Sequence, residues 1–308
     1  MIRIIHSRGF WISVLLVVVA ASGPWWLSAY ILGVLTSAYY FGVFAMSWDL
    51  LFGFAGEVNF GPTFLIGLGA YGAAILNSTT GLAIPVCLAF GVVVALVGGV
   101  LLALPALRLH GPYFGLVTLV AVLLLQNAIV IFAGTTGGEI GMTVPDILSI
   151  NANVNYWYAL IFLAVCAAIL YGWASSSAGL ILQASGQDAV GAAALGFNVT
   201  KHKLAAFCVS AVFSGLAGGM LVFYLGTASV DTVINISIGV QIIIAAVLGG
   251  RRTILGAVFG SIFLILANEL LRPLGQLNTL VVSGIALLVI LFFPDGMLGY
   301  ILHPRGNR

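Results

Sequence analysis

The sequence predicts an all-α polytopic membrane protein of about ten transmembrane helices, within a range of roughly 8 to 11. Three observations predict it. Only 6% of the 308 residues are Asp, Glu, Lys or Arg and 62% are hydrophobic, whereas an ordinary soluble domain is about a quarter charged. Charges are missing over long runs: none separates Arg8 from Asp49, Glu57 from Arg108, Asp146 from Asp188, or Arg272 from Asp295. Apolar stretches such as Ile84 to Leu104 are continuous and do not alternate. That suits helices of about 20 residues crossing a hydrocarbon core about 30 Å thick, and not the strands of an outer-membrane barrel.

Spans are expected at about Phe10 to Leu27, Ala29 to Trp48, Phe60 to Leu76, Ile84 to Leu104, Tyr113 to Phe132 and Tyr156 to Trp173. Four more are expected at about Leu204 to Leu225, Ile234 to Gly250, Ile254 to Leu271 and Leu277 to Phe293. Arg3 and Arg8 precede the first apolar run, which reads as an uncleaved span because the chain stays hydrophobic behind it. With the amino terminus in the cytoplasm, Arg3, Arg8, Arg108, Lys201, Lys203, Arg251, Arg252, Arg305 and Arg308 fall on inner loops and Arg272 alone falls outside. Basic residues favour the cytoplasmic side, so both termini are expected there. Residues 1–308 form a single transmembrane domain in this reading, with the longest inner loop at 174–203.

Several function classes are excluded. A net charge of +2 without a basic cluster gives no nucleic-acid surface. Cys87, Cys166 and Cys208 lie in apolar segments without a second Cys or a His at ligand spacing, so they read as packed small residues and no metal site is expected. His6, His110, His202 and His303 have no adjacent nucleophile. No Gly-x-x-x-x-Gly-Lys-Ser/Thr loop occurs, so the chain is expected to bind no ATP itself and to be no enzyme.

Two segments carry functional information. In Asp49 to Pro62, Gly53, Gly56, Gly61 and the closing proline preclude a regular helix, and Glu57 and Asn59 add polar groups. An ionisable group in a membrane segment costs at least about 2.5 to 3.5 kcal/mol on insertion scales, so it needs a reason. Gly56, Glu57, Asn59 and Gly61 are therefore candidates for lining a substrate path, the alternative being that Glu57 caps backbone N–H groups or reaches to the surface. The third and eighth spans read as short and glycine-interrupted, beside Gly-rich turns at Gly53 to Pro62 and Gly249 to Gly256. If spans two to five and seven to ten are two halves of an internal repeat, those segments correspond, and broken helices at matching positions point to a transport path. Gly215-x-x-x-Gly219 and Gly256-x-x-x-Gly260 read as helix packing. In the 174–203 loop, Asp188 can cap a short helix running through Leu195, with Gly196 as its stop. So weakly charged a helix has little reason to sit in water unless something docks on it.

These two segments, with Arg108-Leu-His-Gly-Pro-Tyr-Phe-Gly-Leu-Val-Thr-Leu119, Thr136-Gly-Gly-Glu-Ile-Gly-Met142 and Val247-Leu-Gly-Gly-Arg-Arg-Thr-Ile-Leu-Gly256, resemble the permease subunits of branched-chain amino acid ABC importers of the LivM type. The likeness runs from about residue 40 to 300. It implies a multi-pass protein of the prokaryotic plasma (inner) membrane, working with a second related permease, two cytoplasmic ATPase subunits that use the ATP, and an extracytoplasmic substrate-binding protein. It also implies that Asp188, Ala192, Ala193, Leu195, Gly196 and Asn198 lie on the helix that docks on the ATPase. Gly191 stands where the docking motif usually has Glu, and Glu57, Asn59 and Pro62 stand where relatives commonly have Gln, Ser and His. Branched-chain amino acids are the cargo the resemblance implies, with urea or short amides as alternatives. The rival from another class is an ion-coupled secondary transporter using Glu57, which would lose uptake to an uncoupler instead of to loss of the ATPase.

Overall fold

A computed structural model of the chain describes residues 20–109 and 112–275, together with 277, 278, 280, 281, 284 and 287. Most expected spans are present as helices, and their ends follow local chemistry. Helix α1 (Ala29–Asp49) starts at Ser28, whose hydroxyl accepts from the Ile31 N–H, and runs into a π-helical turn at Leu50–Phe54. Helix α2 (Pro62–Thr80) opens on a proline, which needs no N–H partner there, and stops at Gly81 with φ of 64°. Helices α3 (Ile84–Ala106), α4 (Pro112–Ile131) and α5 (Ala152–Ala174) follow. Two short helices, α6 (Ser177–Gln187) and α7 (Ala189–Ala194), occupy the long loop. Helix α8 (Val199–Leu225) is capped by Asn198, α9 (Ile236–Gly249) by Asn235, and α10 (Ile254–Leu270) completes the described bundle.

Among the described residues six helices are long and apolar enough to cross a membrane: Ala29–Phe54, Ile84–Ala106, Pro112–Ile131, Ala152–Ala174, Val199–Leu225 and Val230–Gly249. Ile254–Leu270 is apolar but shorter. The expected first and last spans lie largely outside the described residues.

Three expectations need correction. The third span is not broken: α2 is continuous over 19 residues, because Gly67, Gly69 and Gly72 sit against neighbouring helices and do not interrupt it. The break falls before it. The eighth span is not short, since Val230–Gly249 is long enough to cross a membrane, and its irregular part lies at the opposite end from the Gly249 to Gly256 turn. A helical turn at Val230–Val233 ends at Ile234, and Asn235 starts α9 afresh. The 174–203 loop is less a loop than expected, since α6 was not foreseen and α8 begins at Val199, which places Lys201 and Lys203 on its first turns.

Helix α8 packs against α1, α2 and α3, and α1 against α5, α9 and α10. These contacts are close because small residues meet. A Cβ added at Gly69 would stand 2.3 Å from the Gly215 backbone, and one at Gly260 would stand 1.9 Å from the Ala245 carbonyl oxygen. The Gly215 and Gly256 motifs are thus packing motifs, letting backbones approach as small residues do in membrane bundles. The two ends of the bundle differ in charge. Arg108, Lys201, Lys203, Arg251 and Arg252 lie where α3, α8 and α9 meet the connections at one end, while Glu139, Asp146, Asp231, Glu269 and Arg272 lie at the other. That second end is closed by a two-stranded ribbon, β1 (Met142–Thr143) against β2 (Thr227–Ala228), and by the Asn77 amide donating to Asp146 at 2.8 Å.

Gly69→Ala is expected to destabilise the detergent-solubilised protein by about 1–3 kcal/mol through overpacking. Gly172→Ala, where a Cβ meets nothing within 4 Å, is expected to be neutral or to raise the thermal midpoint by up to about 1 kcal/mol equivalent. Thermal unfolding of the two variants side by side checks both.

Candidate functional site

The irregular segment between α1 and α2 lies at the basic end of the bundle. The helix loosens before it stops: the Ala55 N–H bonds the Leu50 carbonyl in π fashion at 3.3 Å, and the Glu57 N–H bonds the Leu51 carbonyl at 3.1 Å. Gly56, with φ of 72°, then turns the chain out of the helix, a conformation that glycine adopts without strain.

From Val58 to Gly61 the backbone is not helical, and side chains within the break, on α1 and on α4 bond to it. The Trp48 indole N–H donates to the Asn59 carbonyl at 2.6 Å. The Asn59 side chain, 2% exposed, accepts from the Gly61 N–H at 2.8 Å. The Phe60 N–H donates to the Thr118 hydroxyl of α4 at 3.0 Å. A Cβ at Gly61 would come within 2.1 Å of the Thr118 carbonyl oxygen, so only glycine allows α4 this close.

The turn between α9 and α10 clamps the other side of the break. The Arg252 N–H donates to Asp49 Oδ1 at 3.2 Å and its Nε donates to the Gly53 carbonyl at 2.9 Å. Arg252 itself has φ of 64°, which the surrounding contacts hold. The Arg251 guanidinium lies over the Phe52 ring at 4.7 Å, and Phe52 stacks on Trp48. The two Gly-rich turns singled out in the sequence, far apart in the chain, therefore meet. Asp49, 1% exposed, was not foreseen as a site residue. Its place opposite an Arg pair at the same end of the bundle was the available signal, but the pairing is tertiary.

Glu57 forms an ion pair with Lys203 of α8, Nζ to Oε1 at 2.5 Å, and both side chains are only 15% exposed. Lys203 was not among the expected site residues. A deeply buried pair broken on one side loses about 3–5 kcal/mol, and partial exposure lowers that figure. In this structure the Glu57 carboxylate is answered by a cation on α8.

The α6–α7 segment lies against the same break. A Cβ at Gly186 would stand 2.5 Å from the Phe54 carbonyl oxygen, and one at Gly56 would stand 2.8 Å from that of Gly186. Asp188 caps α7, accepting from the Gly191 N–H at 2.9 Å. A Cβ at Gly191 would meet its carboxylate at 2.3 Å, so the bare glycine leaves room for this cap. At the far end Gly196, with φ of 89°, and Phe197 bond back to the Ala193 and Ala192 carbonyls, a Schellman stop. Asn198 then caps α8 through the Lys201 N–H at 2.9 Å. Of the expected docking residues, Asp188, Gly196 and Asn198 shape the helix ends, Ala192 is buried beneath the helix, and Ala193 and Leu195 face outward. Val190 at 81% and Leu195 at 78% exposure, with Phe197 beside them, give the outer face an apolar character. Val190 and Phe197 were missed because hydrophobic residues in a hydrophobic chain carry no contrast.

A cavity of about 330 Å³ lies elsewhere, between residues 20–27, α1, α5 and α10. Its wall is aliphatic and aromatic, and the hydroxyls of Tyr39 and Tyr156 in it bond one another at 2.8 Å. Among the described residues no cluster of His, Cys, Asp and Glu could hold a metal ion.

Residues 30–293 match the family described as branched-chain amino acid transport system / permease component. The chain belongs to this permease family. It is 24% identical to the high-affinity branched-chain amino acid transport system permease protein LivM of Salmonella typhimurium, over 92% of this chain and 73% of that one. It is equally 24% identical to the LivM protein of Escherichia coli K12, over 92% of this chain and 74% of the relative. No solved structure matches the chain. With its apolar helices, membership makes this permease a multi-pass protein of the inner membrane and a transport component.

Asp49→Ala is expected to lower the stability of the permease by about 1–3 kcal/mol, because it removes a buried acceptor and strands the Arg252 N–H. Asp49→Asn, which keeps an acceptor, is expected to lose less than half of that. Thermal unfolding in detergent distinguishes the two.

Proposed function

We propose that this permease is one of two membrane subunits of an ATP-driven importer that brings branched-chain amino acids or similar small solutes into the cytoplasm. In this reading it is a single ten-span domain, 1–308, with both termini and the basic end facing the cytoplasm, as the positive-inside tendency favours. ATP is used by two separate cytoplasmic subunits, and an extracytoplasmic protein delivers the solute. The break that holds Gly56, Glu57, Asn59 and Gly61 stands at the inner end of the path, with the Glu57 carboxylate engaged by Lys203 and not by solute, and irregular backbone is tolerated there because it is buried in protein or lines a cavity.

The observation that carries the proposal is α7. A short, well-capped helix at the basic end, carrying exposed Val190 and Leu195, is costly in water and suits a groove on another protein. The residues 174–203 are thus the coupling segment, with Asp188, Ala192, Ala193, Leu195, Gly196 and Asn198 shaping and presenting the contact. The names of the relatives favour branched-chain amino acids as cargo over urea or short amides. The pairing of Glu57 with Lys203 speaks against an ion-coupled carrier, since such a carrier needs a carboxylate free to take up its ion.

Val190→Glu and Leu195→Glu are each expected to weaken association with the ATPase subunits by about ten-fold or more, the loss of one central apolar anchor. Co-purification of the complex, and leucine uptake into proteoliposomes with and without ATP, check this. Full assembly and uptake with both substitutions in place would refute α7 as the docking element. Uptake that persists without the ATPase and collapses with an uncoupler would refute the importer itself.

A further inference from the structure

We propose that the Glu57–Lys203 ion pair is the transmission contact through which the α6–α8 segment moves the break between α1 and α2. The inference rests on the importer reading and assigns it two positioning residues. Besides its bond to Thr118 of α4, the break is attached to the α9–α10 turn and to the α6–α8 segment. At the first attachment Asp49 and Gly53 are held by Arg252 in the α9–α10 turn. At the second the α6–α7–α8 segment touches it twice, through Gly186 against the backbone of Phe54 and Gly56, and through Lys203 against Glu57. Gly56 lies within the second attachment, and as a glycine it is the residue there whose backbone turns at least steric cost.

The two contacts made by the α6–α8 segment differ in what they can transmit. The Gly186 contact is backbone against backbone at van der Waals range. It resists compression steeply and resists separation hardly at all. An ion pair at 2.5 Å, little exposed to water, resists separation. With both, a displacement of α7 is passed to the break in either direction: Gly186 pushes it and Lys203 draws it back. Helix α7 is tightly joined to both contacts. The Asp188 N–H bonds the Ala184 carbonyl of α6 while its side chain caps α7, and only Leu195 to Asn198 separate α7 from α8. A two-state machine must be reset each cycle, and a contact that only pushes cannot do it. The pair also explains why an acidic group stands at position 57: its partner is on the element that moves.

The test uses the permease assembled with its ATPase subunits in proteoliposomes. Glu57→Gln and Lys203→Gln are each expected to lower the maximal rate of ATP-driven leucine uptake by about ten-fold, a usual size for coupling between sites. The half-saturating leucine concentration and co-purification of the ATPase are expected to stay as in the parent. The charge-swapped double variant, Glu57→Lys with Lys203→Glu, is expected to recover most of the uptake. Failure of the swap to rescue, in a complex that assembles, would overturn the proposal, as would parental uptake rates in both single variants. A loss of uptake accompanied by a shifted half-saturating concentration would place Glu57 in contact with solute and also overturn it.

A second readout does not depend on the cargo. In a Cys208→Ser background, Phe60→Cys puts a thiol at the one exposed position of residues 56–61. Its rate of modification by a polar maleimide is expected to change on ATP binding in this parent and to stay constant when Glu57→Gln is added. An ATP response of equal size in both would overturn the transmission role. Uptake by the unaltered chain without any ATPase would instead overturn the importer reading, so the two failures are distinguishable.

Discussion

The bundle is organised around one constraint: where α1 loosens and stops, the backbone of residues 50–61 must find hydrogen-bond partners in a protein surrounded by hydrocarbon. A continuous helix satisfies itself, and a broken one cannot. Here side chains supply the partners. Arg252 of the α9–α10 turn serves the Gly53 carbonyl, Trp48 of α1 the Asn59 carbonyl, Thr118 of α4 the Phe60 N–H, and Asn59 within the break the Gly61 N–H. Satisfying the break therefore fixes α1, α4 and the α9–α10 turn relative to one another, and the Glu57–Lys203 pair adds α8.

The glycines serve the same end by different means. Gly56 turns the chain, Gly61 admits α4, and Gly53 lets the Arg252 backbone come within hydrogen-bond range of Asp49. Deeper in the bundle, Gly69, Gly215 and Gly260 bring helices together where no large side chain could fit. A rigid, closely packed body surrounding one irregular segment is a suitable frame for a part that moves, because tightly packed interfaces switch between arrangements and do not deform gradually.

The charged residues are few, and almost every one at the basic end has a structural task. Asp49 and Arg252 close one side of the break, Glu57 and Lys203 the other, and Asp188 caps α7. Glu57 has its ion partner on α8, and the bare Gly191 leaves room for the Asp188 carboxylate that caps α7.

The sequence by itself determined the class. Membrane insertion depends on the summed hydrophobicity of each segment, a one-dimensional quantity, so helices α1, α3, α4, α5 and α8 were legible from their length and apolarity. So were the caps at Asp188 and Gly196, because capping is decided within a few neighbouring residues. Only the tertiary structure decided what Glu57 does. A carboxylate near the end of a span reads alike whether it lines a passage, reaches to water or meets a cation, and its partner lies 146 residues away in sequence. Tertiary packing likewise kept α2 unbroken despite its glycines, and it brought the Gly53 and Arg252 turns into contact. Hydrogen bonds and ion pairs between distant segments are set by which backbone groups the fold leaves unsatisfied, and that is known only once the helices are packed.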